Sequence, residues 1–135
     1  MKTNGNSTTP RVIEPELSYA IVAGFYRVYR GLGWGLSEVH YKRAMELVLK
    51  EYGLQVDREY PVPVIFENQQ IGFQRLDLLV AQKVIVEVKS TEVLPSYASS
   101  QLRTYLAVAK LKLGILLHFG PAAKYYRVLG PKALQ

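Results

Sequence analysis

The run LGILLHFG at 113–120 constrains this chain more than any other stretch. A strand with one face in water alternates apolar and polar residues. This run does not, so it is expected to be covered on both faces. A sheet buried in that way needs a layer of helices on each side. The rest of the chain must supply those layers.

Helical spacing begins at Pro15, a residue suited to a first turn, and Leu17, Ile21, Phe25, Val28 and Leu32 then recur at steps of three and four. GLGWG at 31–35 ends that helix. A second is expected from Leu36 to Tyr52, closed by Gly53, with Tyr41, Met45, Val48 and Tyr52 as its apolar stripe. Beyond Gly53 the period becomes that of strands. LQVDREYPVPVIF (54–66) is extended, and Pro61 and Pro63 imply a bend or a partly unpaired edge. ENQQ turns the chain into IGFQRLDLLV (71–80), and KVIVEVK (83–89) follows. STEVLP leads to a helix over 96–110 with Ala98, Leu102, Tyr105 and Ala109 on its buried face, and KYYRVLG (124–130) reads as one more strand. Helix, helix, three strands, helix and one or two strands predict an α/β fold, a mixed sheet flanked by helices on both faces.

A chain of 135 residues fits one domain, expected over 12–135, after a flexible polar tail at 1–11. No apolar stretch approaches membrane-spanning length, and MKTNGNSTTP lacks the apolar core of a signal peptide. The chain has no cysteine, which excludes disulfides, zinc–thiolate sites and iron–sulfur clusters and suits a cytoplasmic location. Lysine and arginine number 17 against 11 aspartates and glutamates, and the net charge of +6 makes a polyanion a partner to consider. Charge alone does not choose one, since many small basic domains never touch nucleic acid.

Within KVIVEVK, Glu87 and Lys89 stand two apart and share a face with Ile85. A solvated ion pair on a sheet edge would account for them, and so would an active site. Asp77 is the sharper oddity, because it interrupts Leu76, Leu78, Leu79 and Val80 in a strand that disfavours it. Its relation to Glu87 depends on the turn between the two strands. A three-residue turn, Ala81 to Lys83, pairs Val80 with Val84 and sets Asp77 opposite Glu87; a two-residue turn sets it opposite Val86, with no shared face. Two opposed carboxylates cost energy unless a cation lies between them, and a hard divalent ion such as Mg²⁺ takes one or two carboxylates and keeps several waters. Glu38 extends the second helix's stripe backwards, where an apolar residue is expected. It is either an exposed first-turn acid that meets the helix dipole or an acid with a task.

Asp77, then Glu87-Val88-Lys89 ten residues on, with a helical acid before and a helix after, resembles the PD-(D/E)XK nuclease superfamily. GLSEVHY (35–41) is similar to the signature of its GxxExxY proteins through Gly35, Glu38 and Tyr41. The resemblance runs from about Glu16 to Leu129 and includes YPVPV and LGILLHFG. It implies a restriction-endonuclease-like αβββαβ core and a metal-dependent DNA nuclease in which water attacks a phosphodiester. Mg²⁺, with Mn²⁺ as substitute, would be held by Asp77, Glu87 and the Val88 carbonyl with help from Glu38. Lys89 would be the catalytic lysine, and Gln101 and Tyr105 would match a Q-x-x-x-Y element on the following helix. Leu76 stands where the motif's name has proline, and the cysteine clusters of the iron–sulfur branch are absent. The competing reading is a non-catalytic nucleic-acid-binding or assembly module on the same fold. A small domain gripping DNA suggests a homodimer or a larger nucleic-acid-processing partner. His118 reads as a structural or surface histidine and Trp34 as a packing residue, RVYRGLGWG lacks the lysine of a phosphate loop, and Tyr41-Lys42-Arg43 and Arg103 supply solvated charges unless they flank the acids.

Overall fold

A computed structural model describes residues 13–134, so the segment expected to be a flexible tail lies outside the described residues. Two helices come first, α1 (Pro15–Leu32) and α2 (Glu38–Glu51), followed by β1 (Val56–Phe66), β2 (Gln69–Val80) and β3 (Val84–Lys89). Helix α3 (Ala98–Ala109), β4 (Leu113–Phe119), β5 (Ala123–Leu129) and a short 3-10 helix (Pro131–Leu134) complete the order. The strands form one five-stranded sheet in sequence order. Only β3 and β4 run parallel; the other neighbours are antiparallel. A parallel step needs a crossover, and α3 is that crossover. The fold is the expected α/β class with a restriction-endonuclease-like mixed sheet.

Every residue of β4 is buried, as the run at 113–120 requires. Its alternate residues feed two cores. On one face, Ile21, Phe25 and Val28 of α1 and Tyr41, Met45, Val48 and Leu49 of α2 pack on Val84, Val86, Val88, Leu113, Ile115, Leu117 and Phe119. On the other, Ala98, Leu102 and Leu106 of α3 pack on Leu79, Ile85 and Leu116. Gly114 lets α3 sit this close, since a Cβ there would lie 2.8 Å from the Leu102 side chain.

Four stripe positions differ from expectation. Leu32 is exposed because it is the last residue before the chain turns at Gly33. Tyr52 lies past the end of α2 and is exposed, while Leu49, one turn after Met45, takes its place in the core. On α3 the buried position is Leu106, with Tyr105 and Ala109 only partly covered. Trp34 also packs less than expected and is 43% exposed, in a turn whose glycines, Gly33 and Gly35, both have positive φ. Among the described residues no helix is long and apolar enough to cross a membrane.

Candidate functional site

The β2–β3 turn takes the three-residue form. Ala81 and Gln82 both adopt left-handed φ values, of 53° and 58°, and Val80 pairs with Val84, Leu79 with Ile85 and Leu78 with Val86. The next opposed pair is Asp77 and Glu87, and there the backbone ladder stops. Side chains replace it: the Asp77 N–H donates to Glu87 Oε2 at 2.9 Å, and the Val88 N–H donates to Asp77 Oδ2 at 2.8 Å. Each carboxylate satisfies an amide of the facing strand that the ladder leaves unpaired. The strands part at this point, with both acids in the gap.

β1 is irregular at the same level. Arg58 pairs with Leu78 and Tyr60 with Leu76, but Glu59 between them is unpaired and left-handed, at φ 57°. Such a conformation costs a non-glycine residue on the order of 1 kcal/mol. It also turns the strand over: Val56 packs under α1 and α2, whereas Val62 packs under α3, although an even number of residues separates them.

From α2, Lys42 reaches into this kink. Its Nζ lies 2.5 Å from Glu59 Oε2 and 3.5 Å from Asp77 Oδ1, and its side chain is 13% exposed. Burial opposes its charge, but the hydrogen bond to Glu59 and the charge of Asp77 outweigh that and hold the ammonium above its usual range. Lys42 is therefore one of the charges that flank the acids, and its default reading as a solvated residue is corrected.

Glu87 is 5% exposed, and burial, followed by the charge of Asp77, pushes its carboxyl up to about 8. The Asp77 amide and the charges of Lys89 and Lys42 only partly offset this. Desolvation thus outranks acid–acid repulsion as the cause. Lys89 Nζ lies 3.4 Å from Gln101 Oε1 on α3. One turn along that helix, burial and then the charges of Glu87 and Asp77 raise the Tyr105 hydroxyl above its usual range and keep it protonated.

Asp77, Glu87, Val88, Lys89, Gln101 and Tyr105 are thus gathered at one end of β3. Glu38 stands slightly apart, its Oε2 accepting the Ser90 N–H at 3.3 Å, one residue beyond Lys89. Among the described residues no three acidic or histidine side chains converge as a metal-holding group. Asp77 and Glu87 nevertheless suit one hard cation that retains water, because they bring oxygen donors from facing strands to one gap in the ladder. His118 is a structural residue, its Nε2 2.8 Å from the Thr91 carbonyl oxygen. Sequence reasoning missed Glu59 altogether. Lys42 had a signal, since it sits one turn after Glu38 on the same face of α2.

The family model of the PD-(D/E)XK nuclease superfamily matches residues 15–128. No curated protein sequence matches the chain. The crystal structure of SSO0001 is similar in fold, with a TM-score of 0.55 at 20% identity; the match covers 90% of this chain but only 62% of that one. The family match begins at the first residue of α1 and ends one residue before the close of β5. Taken with the acid pair at the parting of β2 and β3, it shows that the chain belongs to the PD-(D/E)XK nuclease superfamily.

Proposed function

We propose that this protein is a Mg²⁺-dependent DNA nuclease of the GxxExxY group, with Mn²⁺ as a working substitute. The observation that carries the reading is the opposed pair Asp77 and Glu87 in the strand gap, with Lys89 on the same strand end. The three signature positions also have definite work here. Gly35, at φ 110°, allows the turn between the helices. Tyr41 donates to the Gly33 carbonyl at 2.8 Å and accepts the Leu36 N–H at 3.3 Å. Glu38 holds the Ser90 amide and so steadies the strand end from which Lys89 projects.

In this mechanism Asp77, Glu87 and the Val88 carbonyl would hold the ion, which would supply polarisation of the phosphoryl group and a lowered pKa for water. Lys89, oriented by Gln101, meets the negative charge that grows on the phosphoryl oxygens. Tyr105 stays protonated and would offer its hydroxyl as a hydrogen-bond donor to the phosphoryl group. Water oxygen bonds to phosphorus and gives up a proton to solvent, the bond to the leaving sugar oxygen breaks, and that oxygen takes a proton from solvent.

The test is cleavage of a panel of linear, nicked, branched and single-stranded DNA with Mg²⁺ or Mn²⁺, with RNA as control. EDTA should stop cutting. Lys89→Ala should lower kcat by a hundredfold or more, about 3 kcal/mol of transition-state stabilisation, while leaving Mn²⁺ and DNA affinity near wild type. A wild type that binds DNA and cuts no form with either ion would replace this reading with that of a non-catalytic binding module.

A further inference from the structure

Where β1, β2 and β3 lose their regular pairing, Asp77 faces Glu87 on one side, and on the other a lysine stands between Asp77 and Glu59. Lys42 touches Glu59 at 2.5 Å and Asp77 at 3.5 Å. It is the one cationic side chain within ion-pairing distance of Asp77 among the described residues, since Lys89 is turned to the neutral Gln101. Glu59 reaches it from a left-handed backbone conformation that interrupts β1. A strained residue persists only where its surroundings hold it, and the Lys42 contact is one such hold.

An ammonium has no lone pair and cannot ligate a metal. At a few ångströms from a divalent ion it repels it, and the low exposure of this site leaves little water to screen the two charges. We propose that Lys42 is an internal counter-cation that competes with the divalent ion for Asp77 and so sets how weakly that ion is held. This rests on the reading that Asp77 and Glu87 hold the ion. Lys42 takes the ion's place beside Asp77 when the metal is absent. On loading it keeps its shorter contact to Glu59 and gives up the longer one to Asp77. Glu59 is then the anchor that receives the displaced charge, and Lys42 is a positioning residue rather than a catalytic one.

The experiment measures Mn²⁺ binding alone, by the electron paramagnetic resonance of the free ion, together with thermal melting in EDTA. Lys42→Met should melt below wild type in EDTA, because it leaves Glu59 and Asp77 without their shared counter-charge. Yet it should bind Mn²⁺ about tenfold more tightly, the effect of removing one neighbouring like charge worth about one pK unit. Lys42→Arg, which keeps the charge, should stay near wild type in both. Lys42→Gln keeps a hydrogen-bond donor for Glu59 and should move Mn²⁺ affinity in the same direction as Lys42→Met, so the outcome does not hang on one variant folding. A merely structural lysine would lower stability and affinity together. Mn²⁺ binding by the neutral variants that equals wild type or is weaker overturns the proposal. Failure of wild type itself to bind Mn²⁺ would overturn the underlying metal reading, and that shows before any variant is made.

Discussion

The two halves of β3 are built differently. Val84, Ile85 and Val86 have a backbone partner on each side, β2 and β4. Glu87, Val88 and Lys89 pair only with β4, and on the β2 side carboxylates stand in for the ladder. The first half is apolar and closed. The second admits an acid, a buried valine and a lysine because the neighbouring strand has moved away. The candidate site is thus a place where one ladder is withheld, and the unpaired amides and ionisable side chains that result satisfy each other. Beyond the gap, β2 continues with β1 as a two-stranded ribbon, and Ile65, Phe66, Ile71 and Phe73 on it are exposed.

The contrast breaks first at the closed half. Ile85→Ala should cost about 2–5 kcal/mol by leaving a cavity under α3. Lys89→Ala, in the open half, should cost about 1 kcal/mol or less. Urea unfolding of both variants checks this, and equal losses would erase the distinction.

The next effect is one of pH. The folded Glu87 carboxyl is pushed up to about 8 from the ordinary glutamate value of 4.5, so between the two the folded chain keeps a proton that the unfolded chain has released. The stability this group contributes is therefore complete below about pH 4.5 and is lost as pH rises through about 8. Glu87→Gln keeps an oxygen for the Asp77 amide and removes the titration. It should flatten that decline and, at pH 9, exceed wild type by about 1–3 kcal/mol in chemical denaturation. A variant as pH-sensitive as wild type would place the titration elsewhere.

A divalent ion should offset the cost of setting two acids face to face. Mn²⁺ at ten times its Kd should stabilise wild type by about 1.4 kcal/mol and raise its Tm, and the double variant Asp77→Asn, Glu87→Gln should lose that rise. An equal rise in both would put the ion at another site. The smallest effect belongs to the ribbon. Phe73 is 65% exposed, so Phe73→Ser should change stability by about 0.5 kcal/mol or less. A larger loss would mean that the ribbon contributes to the fold as β3 does.

Much of this was legible in the residues because the relevant physics is local. Helical and strand periods located three helices and four or five strands, and the turn residues bounded them to within a few positions. Parity alone put Glu87 and Lys89 on the face of Ile85, and the burial of Asp77's neighbours marked it as a residue needing a reason. Stripe edges were less legible. Leu32, Tyr52 and Leu106 depart from the simple pattern because helix ends and the roll of α3 over Gly114 depend on what each helix lies against.

The sequence by itself determined the order of elements, the two-sided burial of β4 and the set of ionisable residues available to a site. The tertiary structure decided how those residues meet. It chose the three-residue turn that opposes Asp77 to Glu87, a choice the turn's composition left open. It also set Glu59 in a left-handed kink and brought Lys42 of α2 onto it, across 17 positions of chain. No local period encodes such a contact, because the energy of a buried charge is set by which segments pack around it.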